Sequence, residues 1–172
     1  MIRLAKLSDL NGIMCVINDA KALFKSEGSD QWQDLDNYPN ENTIVNDINN
    51  GEMYVNEING IIAGCVVLSS KQEEAYDKIY DGTWQNYGPY IVIHRIAIKK
   101  EMYRMGIAKE LLAKMIEISK EKKISSIKVD TKVENIRMIS LLESFGFKIR
   151  GKIDLLRKDC LDKVRIALEL TL

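Results

Sequence analysis

The 172-residue sequence has few cysteines and no long apolar run, and each shortage excludes a class of protein. Cys15, Cys65 and Cys160 are an odd number at wide spacings, which indicates reduced thiols rather than a disulfide framework, and no zinc-ligand spacing occurs. No apolar run approaches the roughly eighteen residues of a membrane helix, and the first residues lack the apolar core of a signal peptide. We therefore expect a cytoplasmic protein that binds neither a membrane nor a metal.

An excess of charge of one sign is also missing. Lys plus Arg and Asp plus Glu both number 25, so the formal net charge is zero and no basic excess favours nucleic acid as a partner. Two nucleotide-binding motifs, G-x-x-x-x-G-K-[ST] and G-x-G-x-x-G, are absent as well. The length suits one compact domain, so we predict a single domain over residues 1–172.

The sequence is organised around residues 90–122, which we interpret as a strand, a short turn and a helix. Residues 90–98 are almost entirely apolar and rich in β-branched side chains, which is typical of a strand buried on both faces. The segment 104–108 opens a helix whose apolar residues recur at spacings of three and four. Gly106 lies at this opening, where it is either a plain turn residue or a place where an anion approaches the first helical amides.

Other local signals give the order of the remaining elements. Asn59 and Gly60 predict a two-residue hairpin between two strands. A strand at 124–131 follows the central helix, so strand, helix and strand predict a parallel pair with a right-handed crossover. Asn135 precedes a further helix, and Gly146 ends it. Alternating residues at the end of the chain predict an antiparallel strand.

Large aromatic residues stand in two polar connections. Trp32 and Tyr38 lie in the stretch 28–39, between two predicted helices, and Trp84 lies in the longer connection 71–87. Each connection either lines a substrate pocket or is an ordinary surface loop, in which aromatic rings commonly act as anchors without any ligand. We therefore name Trp32, Tyr38 and Trp84 as candidate substrate-binding residues.

This order of elements resembles the GNAT family of N-acetyltransferases. Arg104-Met105-Gly106-Ile107-Ala108 is similar to the family's pyrophosphate loop, and Asn135 stands eleven residues before Gly146-Phe147, similar to the family's asparagine and Gly-Phe ending. The Asn59-Gly60 hairpin also agrees. The resemblance implies an α/β (α+β) fold of GNAT type, which is a mixed, mostly antiparallel twisted sheet with a central parallel strand pair and helices on both faces.

The resemblance further implies acetyl-CoA as the co-substrate, with its pantetheine arm in a gap where the two parallel strands diverge. The implied cofactor-binding residues are Ile96, Ala97 and Ile98 for the pantetheine arm, Arg104, Met105, Gly106, Ile107 and Ala108 for the diphosphate, their neighbours Tyr103 and Lys109, and Asn135 for the pantetheine or phosphate end. The alternative for Asn135 is a plain helix N-cap. Two positions depart from the family: Tyr103 stands where Arg or Gln is usual, and Leu142 stands where many relatives have a tyrosine that protonates the leaving thiolate.

The implied activity is transfer of the acetyl group to a primary amine of a small molecule or peptide, by direct attack in a ternary complex. His94, the only histidine, is either the base that deprotonates the amine or a hydrogen-bonded sheet residue. Asp130 either orients the ammonium group or caps the next turn. The other function in view is a catalytically silent acyl-CoA-binding or regulatory domain, which the missing tyrosine favours. Relatives are often dimers, so a homodimer is among the expected partners, beside the amine substrate.

Overall fold

The computed structural model describes residues 1–158 and 160–172. Within these ranges the chain forms four α-helices and seven strands. The helices are α1 (Leu10–Ser26), α2 (Glu41–Asn49), α3 (Ile107–Glu121) and α4 (Ile136–Ser144). The strands are β1 (Ile2–Leu4), β2 (Met53–Ile58), β3 (Ile61–Ser69), β4 (Tyr90–Ile98), β5 (Ser126–Thr131), β6 (Lys148–Asp154) and β7 (Val164–Thr171).

The strands pair in the order β1-β2-β3-β4-β5-β7-β6. The pairs β1–β2, β2–β3, β5–β7 and β6–β7 are antiparallel, whereas β4 and β5 are parallel. The segment between β4 and β5 contains α3, so this is the expected strand-helix-strand crossover. The predicted mixed sheet with a parallel pair around the central strand is therefore confirmed.

The hairpin between β2 and β3 forms at the predicted residues. Asn59 and Gly60 have φ angles of 50° and 78°, and a type I′ turn requires such left-handed conformations at both central positions. The register then runs from Ile58 opposite Ile61, and it shifts once between Asn56 and Glu57. This turn chemistry is local, which explains why the sequence alone was sufficient to place it.

The start of α3 lies within the segment that the sequence predicted to open it. The pattern opened this helix within residues 104–108, and α3 begins at Ile107. Arg104 and Gly106 have φ angles of 63° and 84°, which are left-handed values that an α-helix does not contain. Both residues therefore belong to the turn, which leaves the first amides of α3 at the end of the loop.

Backbone contacts divide the chain into two units, and each consists of two segments. The first unit comprises Met1–Leu68 and Arg95–Lys114, and the second comprises Ser69–His94 and Met115–Leu172. The core of the first unit is built by apolar residues of α1, α2, β2 and β3, such as Ile13, Ile44 and Met53. The core of the second unit includes Tyr76, Trp84, Tyr90, Val92 and Ile153. The single domain over residues 1–172 stays a prediction.

Two features are absent from residues 1–158 and 160–172. No helix there combines the length and the apolar character that crossing a membrane requires. In the same residues, no group of three or more His, Cys, Asp or Glu side chains is arranged to hold a metal ion.

Candidate active site

The N-terminus of α3, in the first unit, has the features of an anion site. The amide of Glu110 donates to the carbonyl of Gly106 at 3.0 Å, so the amides of the three residues before Glu110 precede the hydrogen-bond ladder of the helix. A Cβ atom built on Gly106 would meet no atom within 4 Å, which means that the space beside this turn is open. Amides at a helix N-terminus attract anions because of their N–H groups and the helix dipole.

The side chains around this turn also suit an anion. Arg104 and Lys109 are exposed, whereas Ile107 is 3% exposed and anchors the helix in the protein. Ala108 and Tyr103 are half-buried. The residues present therefore fit a diphosphate group, with the first amides of α3 and Gly106 at the turn and the cationic residues Arg104 and Lys109 on either side of Gly106 in the sequence.

The carboxyl half of β4, also in the first unit, is packed closely against β3. A Cβ atom on Gly64 would lie only 3.0 Å from the carbonyl oxygen of Ala97, so a side chain at this position would force the backbone of β4 to shift. The amide of Lys99 donates to the carbonyl of Ala63 at 2.9 Å. Ala97 is buried, while Ile96 and Ile98 are half-buried.

Arg95 interrupts β4 with a left-handed conformation, since its φ angle is 52°. Its guanidinium donates to the hydroxyl of Tyr38 at 2.6 Å and to Oδ1 of Asp47 at 2.8 Å. Burial works to lower the pKa of Arg95, but Tyr38 and Asp47 outweigh it, so the net shift of this pKa is upward. Arg95 and Asp47 were not among the predicted site residues, although a charged residue within an apolar strand was a signal for Arg95.

Trp32 is the other aromatic candidate of the first unit. Its ring packs edge-on against Phe24, with 5.5 Å between the ring centroids and an interplanar angle of 87°. The side chain is half-buried against the core of this unit. This packing favours the loop-anchor alternative for Trp32, and its contact with a substrate stays a prediction.

The second unit contains both candidate catalytic residues, at the point where the parallel pairing ends. β4 and β5 are paired from Tyr90 opposite Ser126 to Val92 opposite Lys128. Beyond that pair, β5 remains paired with β7 as far as Thr131. His94 stands two residues after Val92, and Asp130 stands two residues after Lys128. Because side chains two residues apart on a strand point to the same face, His94 and Asp130 lie on the face of the sheet that carries Val92 and Lys128.

His94 is hydrogen-bonded to an acidic residue that the sequence analysis did not identify. Its Nε2 atom lies 3.1 Å from Oε1 of Glu73, and the two side chains are 20% and 40% exposed, respectively. The backbone amide of Glu73 donates to the hydroxyl of Tyr90 at 3.0 Å. Glu73 stands 21 residues before His94 in a loop, so no local sequence pattern could have paired them.

Asp130 accepts a hydrogen bond from a buried tyrosine. The hydroxyl of Tyr76 donates to Oδ1 of Asp130 at 2.7 Å, and Tyr76 is only 3% exposed. Burial, together with the neighbouring charge of Asp130, raises the pKa of Tyr76 well above its ordinary value. Tyr76 is therefore a neutral donor, and residues 73–76 contact both His94 and Asp130.

The side chain of Trp84 is buried by other residues of the second unit. It is 3% exposed, and its indole N–H donates to the carbonyl of Tyr76 at 2.8 Å. The Nζ atom of Lys128 lies 4.3 Å from the centroid of the Trp84 ring and 4.1 Å from that of Tyr90. Burial lowers the pKa of Lys128. These contacts favour the loop-anchor alternative, and a contact between Trp84 and substrate stays a prediction.

The resemblance singled out Asn135, which directly precedes α4, and Leu142 within it. Oδ1 of Asn135 accepts from the amide of Met138 at 3.3 Å, and its Nδ2 donates to Oγ1 of Thr131 at 3.1 Å. Asn135 is therefore an N-cap in the structure, and its binding to the cofactor stays a prediction. Leu142 is fully buried, so α4 presents an apolar core side chain at the position of the missing tyrosine.

Solved structures with the same fold identify the class of protein. A GNAT-family acetyltransferase from Streptococcus agalactiae 2603 is 35% identical, with a TM-score of 0.90 over 100% of this chain and 95% of that one. An N-acetyltransferase from Staphylococcus aureus Mu50 is 25% identical, with a TM-score of 0.69 over 99% of this chain and 97% of that one. The ribosomal-protein-S18-alanine N-acetyltransferase of Escherichia coli, at 16% identity, shares the fold alone, with a TM-score of 0.69 over 99% of this chain and 92% of that one. The fold is that of an acetyltransferase.

The family follows from the sequence itself. The model of the acetyltransferase (GNAT) family matches residues 17–147, which includes β4, the turn before α3 and α4. A comparison with curated proteins gives no significant match. The chain belongs to the GNAT family of acetyltransferases, as its resemblance indicated.

Proposed function

We propose that the protein is an N-acetyltransferase that transfers the acetyl group of acetyl-CoA to a primary amine of a small molecule or peptide by direct attack in a ternary complex. The observation that carries this proposal is the N-terminus of α3, where Gly106 leaves open space beside amides that precede the helical ladder. That arrangement suits a diphosphate, and a diphosphate is part of coenzyme A. Membership of the GNAT family supports the same assignment.

The groups that would hold acetyl-CoA are mainly backbone atoms. The amides of Arg104 to Ala108 would bind the diphosphate, with Tyr103 and Lys109 at the two edges of the loop. The backbone of Ile96, Ala97 and Ile98 would bind the pantetheine arm and donate to the thioester oxygen. Backbone donors in fixed positions stabilise developing negative charge without reorganisation, so this strand would polarise the carbonyl without a special side chain.

Acetyl-CoA supplies a thioester whose carbonyl carbon bonds to the amine nitrogen while the C–S bond breaks and the sulfur leaves as a thiolate. The protein has to supply a neutral amine, because an ammonium ion has no lone pair for attack. His94 would remove the proton from the ammonium, directly or through one water. Asp130, fixed by Tyr76, would orient the ammonium before it loses that proton.

The acceptor is specified only as a primary amine. Tyr38 lies at the end of the connection between α1 and α2, and its hydroxyl is 2.6 Å from Arg95 of β4, so it is the substrate-binding candidate with the most direct link to the central strand. The acceptor of the E. coli protein is not carried over, since 16% identity establishes the fold alone.

Two measurements test the proposal. Titration calorimetry should detect binding of coenzyme A, and coenzyme A should raise the melting temperature more than ATP does, because only the former offers both pantetheine and diphosphate. Thiol release from acetyl-CoA should then depend on an added amine, tested with a panel of small amines and peptide N-termini. Absence of coenzyme A binding by the purified protein would refute the proposal.

A catalytically silent acyl-CoA-binding domain is the second candidate. It is favoured by Leu142, whose buried apolar side chain cannot protonate a thiolate. The amine panel separates the two functions: tight binding of acetyl-CoA without thiol release for any amine indicates the silent domain. Amine-dependent release indicates the enzyme, and the thiolate would then take its proton from a group other than residue 142.

A further inference from the structure

We propose that Glu73 is a positioning residue for His94, which holds a proton on Nε2 and thereby leaves Nδ1 as the atom that accepts the proton of the amine. This inference rests on the proposed role of His94 as the base. The observation behind it is the 3.1 Å contact between Nε2 of His94 and Oε1 of Glu73.

The chemistry of the two groups fixes the direction of this hydrogen bond. An ionised carboxylate has no hydrogen and can only accept, so the shared proton must belong to the imidazole. A neutral imidazole carries one N–H and one lone pair on its two nitrogens. With the N–H on Nε2, the lone pair is on Nδ1, and a base can use only a nitrogen that has its lone pair free.

Glu73 is held in place by contacts other than its bond to His94. Its backbone amide donates to the hydroxyl of Tyr90, which is the first residue of β4 and lies on the same strand as His94. Three residues further on, Tyr76 is buried and bonded to Asp130, so both ends of this short segment are fixed to the sheet. A carboxylate on a loop that is held in place can orient an imidazole, because rotation of the ring does not move the loop.

The surroundings of the pair contain charges of both signs. Lys128 is buried between the rings of Trp84 and Tyr90, and Asp130 is bonded to Tyr76. The imidazole is hydrogen-bonded to Glu73, which therefore sets its tautomer. When His94 takes up the proton on Nδ1, the ring becomes an imidazolium whose Nε2–H already donates to the carboxylate of Glu73.

Nuclear magnetic resonance tests the tautomer directly, because His94 is the only histidine of the chain and its ring nitrogens need no further assignment. Long-range ¹H–¹⁵N spectra of the ¹⁵N-labelled protein at neutral pH should show the proton on Nε2, exchanging slowly with solvent, and an unprotonated Nδ1. A proton found on Nδ1 in the wild-type protein overturns the proposal without any variant.

The variant Glu73→Ala tests the consequence for catalysis. We expect it to lose the slowly exchanging Nε2 proton and to lower kcat by about ten- to a hundred-fold, which is smaller than the effect of losing the base itself, with the KM for acetyl-CoA changed less than about two-fold. Glu74→Ala is the matched control, since Glu74 is the exposed neighbour with the same charge. The control should keep both the spectrum and kcat of the wild type.

The outcomes also separate this inference from the proposed function. If His94→Ala is slow while Glu73→Ala keeps the wild-type kcat, the positioning role of Glu73 is wrong and His94 remains the base. If His94→Ala turns over at the wild-type rate, the base is wrong, and the spectrum of the wild-type protein still decides which nitrogen carries the proton.

Discussion

The guanidinium of Arg95 donates a 2.6 Å hydrogen bond to the hydroxyl of Tyr38, 57 residues earlier in the chain. Arg95 has a φ angle of 52°, and such a conformation in a residue other than glycine costs about 1–3 kcal/mol. Hydrogen bonds that involve a charged group contribute about 1.5–3 kcal/mol each, so the bonds to Tyr38 and Asp47 are of the same order as that strain. The irregular conformation of β4 is thus linked to the connection between α1 and α2.

Removal of the Tyr38 hydroxyl should show this link. We expect Tyr38→Phe to lower the free energy of unfolding by about 1–3 kcal/mol, because a buried guanidinium loses one of its acceptors. Denaturant titration measures the change, and the KM for the amine should rise if Tyr38 also contacts the acceptor. The control is Tyr54→Phe, whose hydroxyl makes no hydrogen bond to the part of the chain that the structure describes. Equal stability of Tyr38→Phe and wild type would show that Arg95 does not depend on Tyr38.

The sequence was sufficient where the determining signal is local. The Asn59-Gly60 turn sets its own hairpin, the apolar run 90–98 matches β4, and Asn135 and Gly146 delimit α4 at its two ends. Each of these signals lies within the element that it specifies, or next to it. The family resemblance depended on such segments, and for that reason it was confirmed.

The contacts of the candidate catalytic side chains could not be predicted in the same way. Glu73 and His94 are 21 residues apart, and Tyr76 and Asp130 are 54 residues apart, so the fold rather than any spacing brings each pair together. Trp84 illustrates the opposite problem. A sequence does not distinguish an aromatic residue that lines a pocket from one that anchors a loop. The burial of Trp84 and its hydrogen bond to Tyr76 favour the loop anchor.

The turn before α3 predicts a specific effect on coenzyme A binding. Gly106→Val should weaken that binding at least about ten-fold, since a branched side chain at a φ angle of 84° covers the open space and distorts the turn. Calorimetry measures the affinity. Gly51→Val is a matched control, because Gly51 also has a left-handed φ angle, of 67°, and no atom within 4 Å of an added Cβ.

Both valine variants should lose a similar amount of stability, about 1–2 kcal/mol for a left-handed residue with a side chain. A loss of affinity in Gly106→Val alone then reports the binding site rather than strain. If both variants bind coenzyme A as tightly as the wild type, the diphosphate does not bind at this turn.

Tyr76 predicts how stability depends on pH in alkaline solution. Because the pKa of Tyr76 is raised in the folded protein, the folded state keeps this proton at pH values where an unfolded tyrosine, with a reference pKa of about 10, has lost it. The unfolded state then binds fewer protons, so the free energy of unfolding falls as the pH rises above about 10. Tyr76→Phe should be less stable at pH 7, by about 1–3 kcal/mol, but its stability should fall less steeply above pH 10. Urea titrations from pH 7 to 11 measure the free energy of unfolding of both proteins. If it changed with pH by the same amount in both, this account of Tyr76 would be wrong.

His94→Ala tests the chemical step itself. At neutral pH, kcat should fall by about a hundred-fold or more. An amine of the lysine type has a reference pKa of about 10.4 and is almost entirely protonated at this pH, and the variant has no histidine to remove the proton. Towards alkaline pH the solvent removes that proton, so the rate of the variant should approach that of the wild type, and the KM for acetyl-CoA should stay the same throughout. An unchanged rate and an unchanged pH profile would instead remove His94 from the mechanism. The 3.1 Å contact with Glu73 would then serve only to fasten the loop to β4.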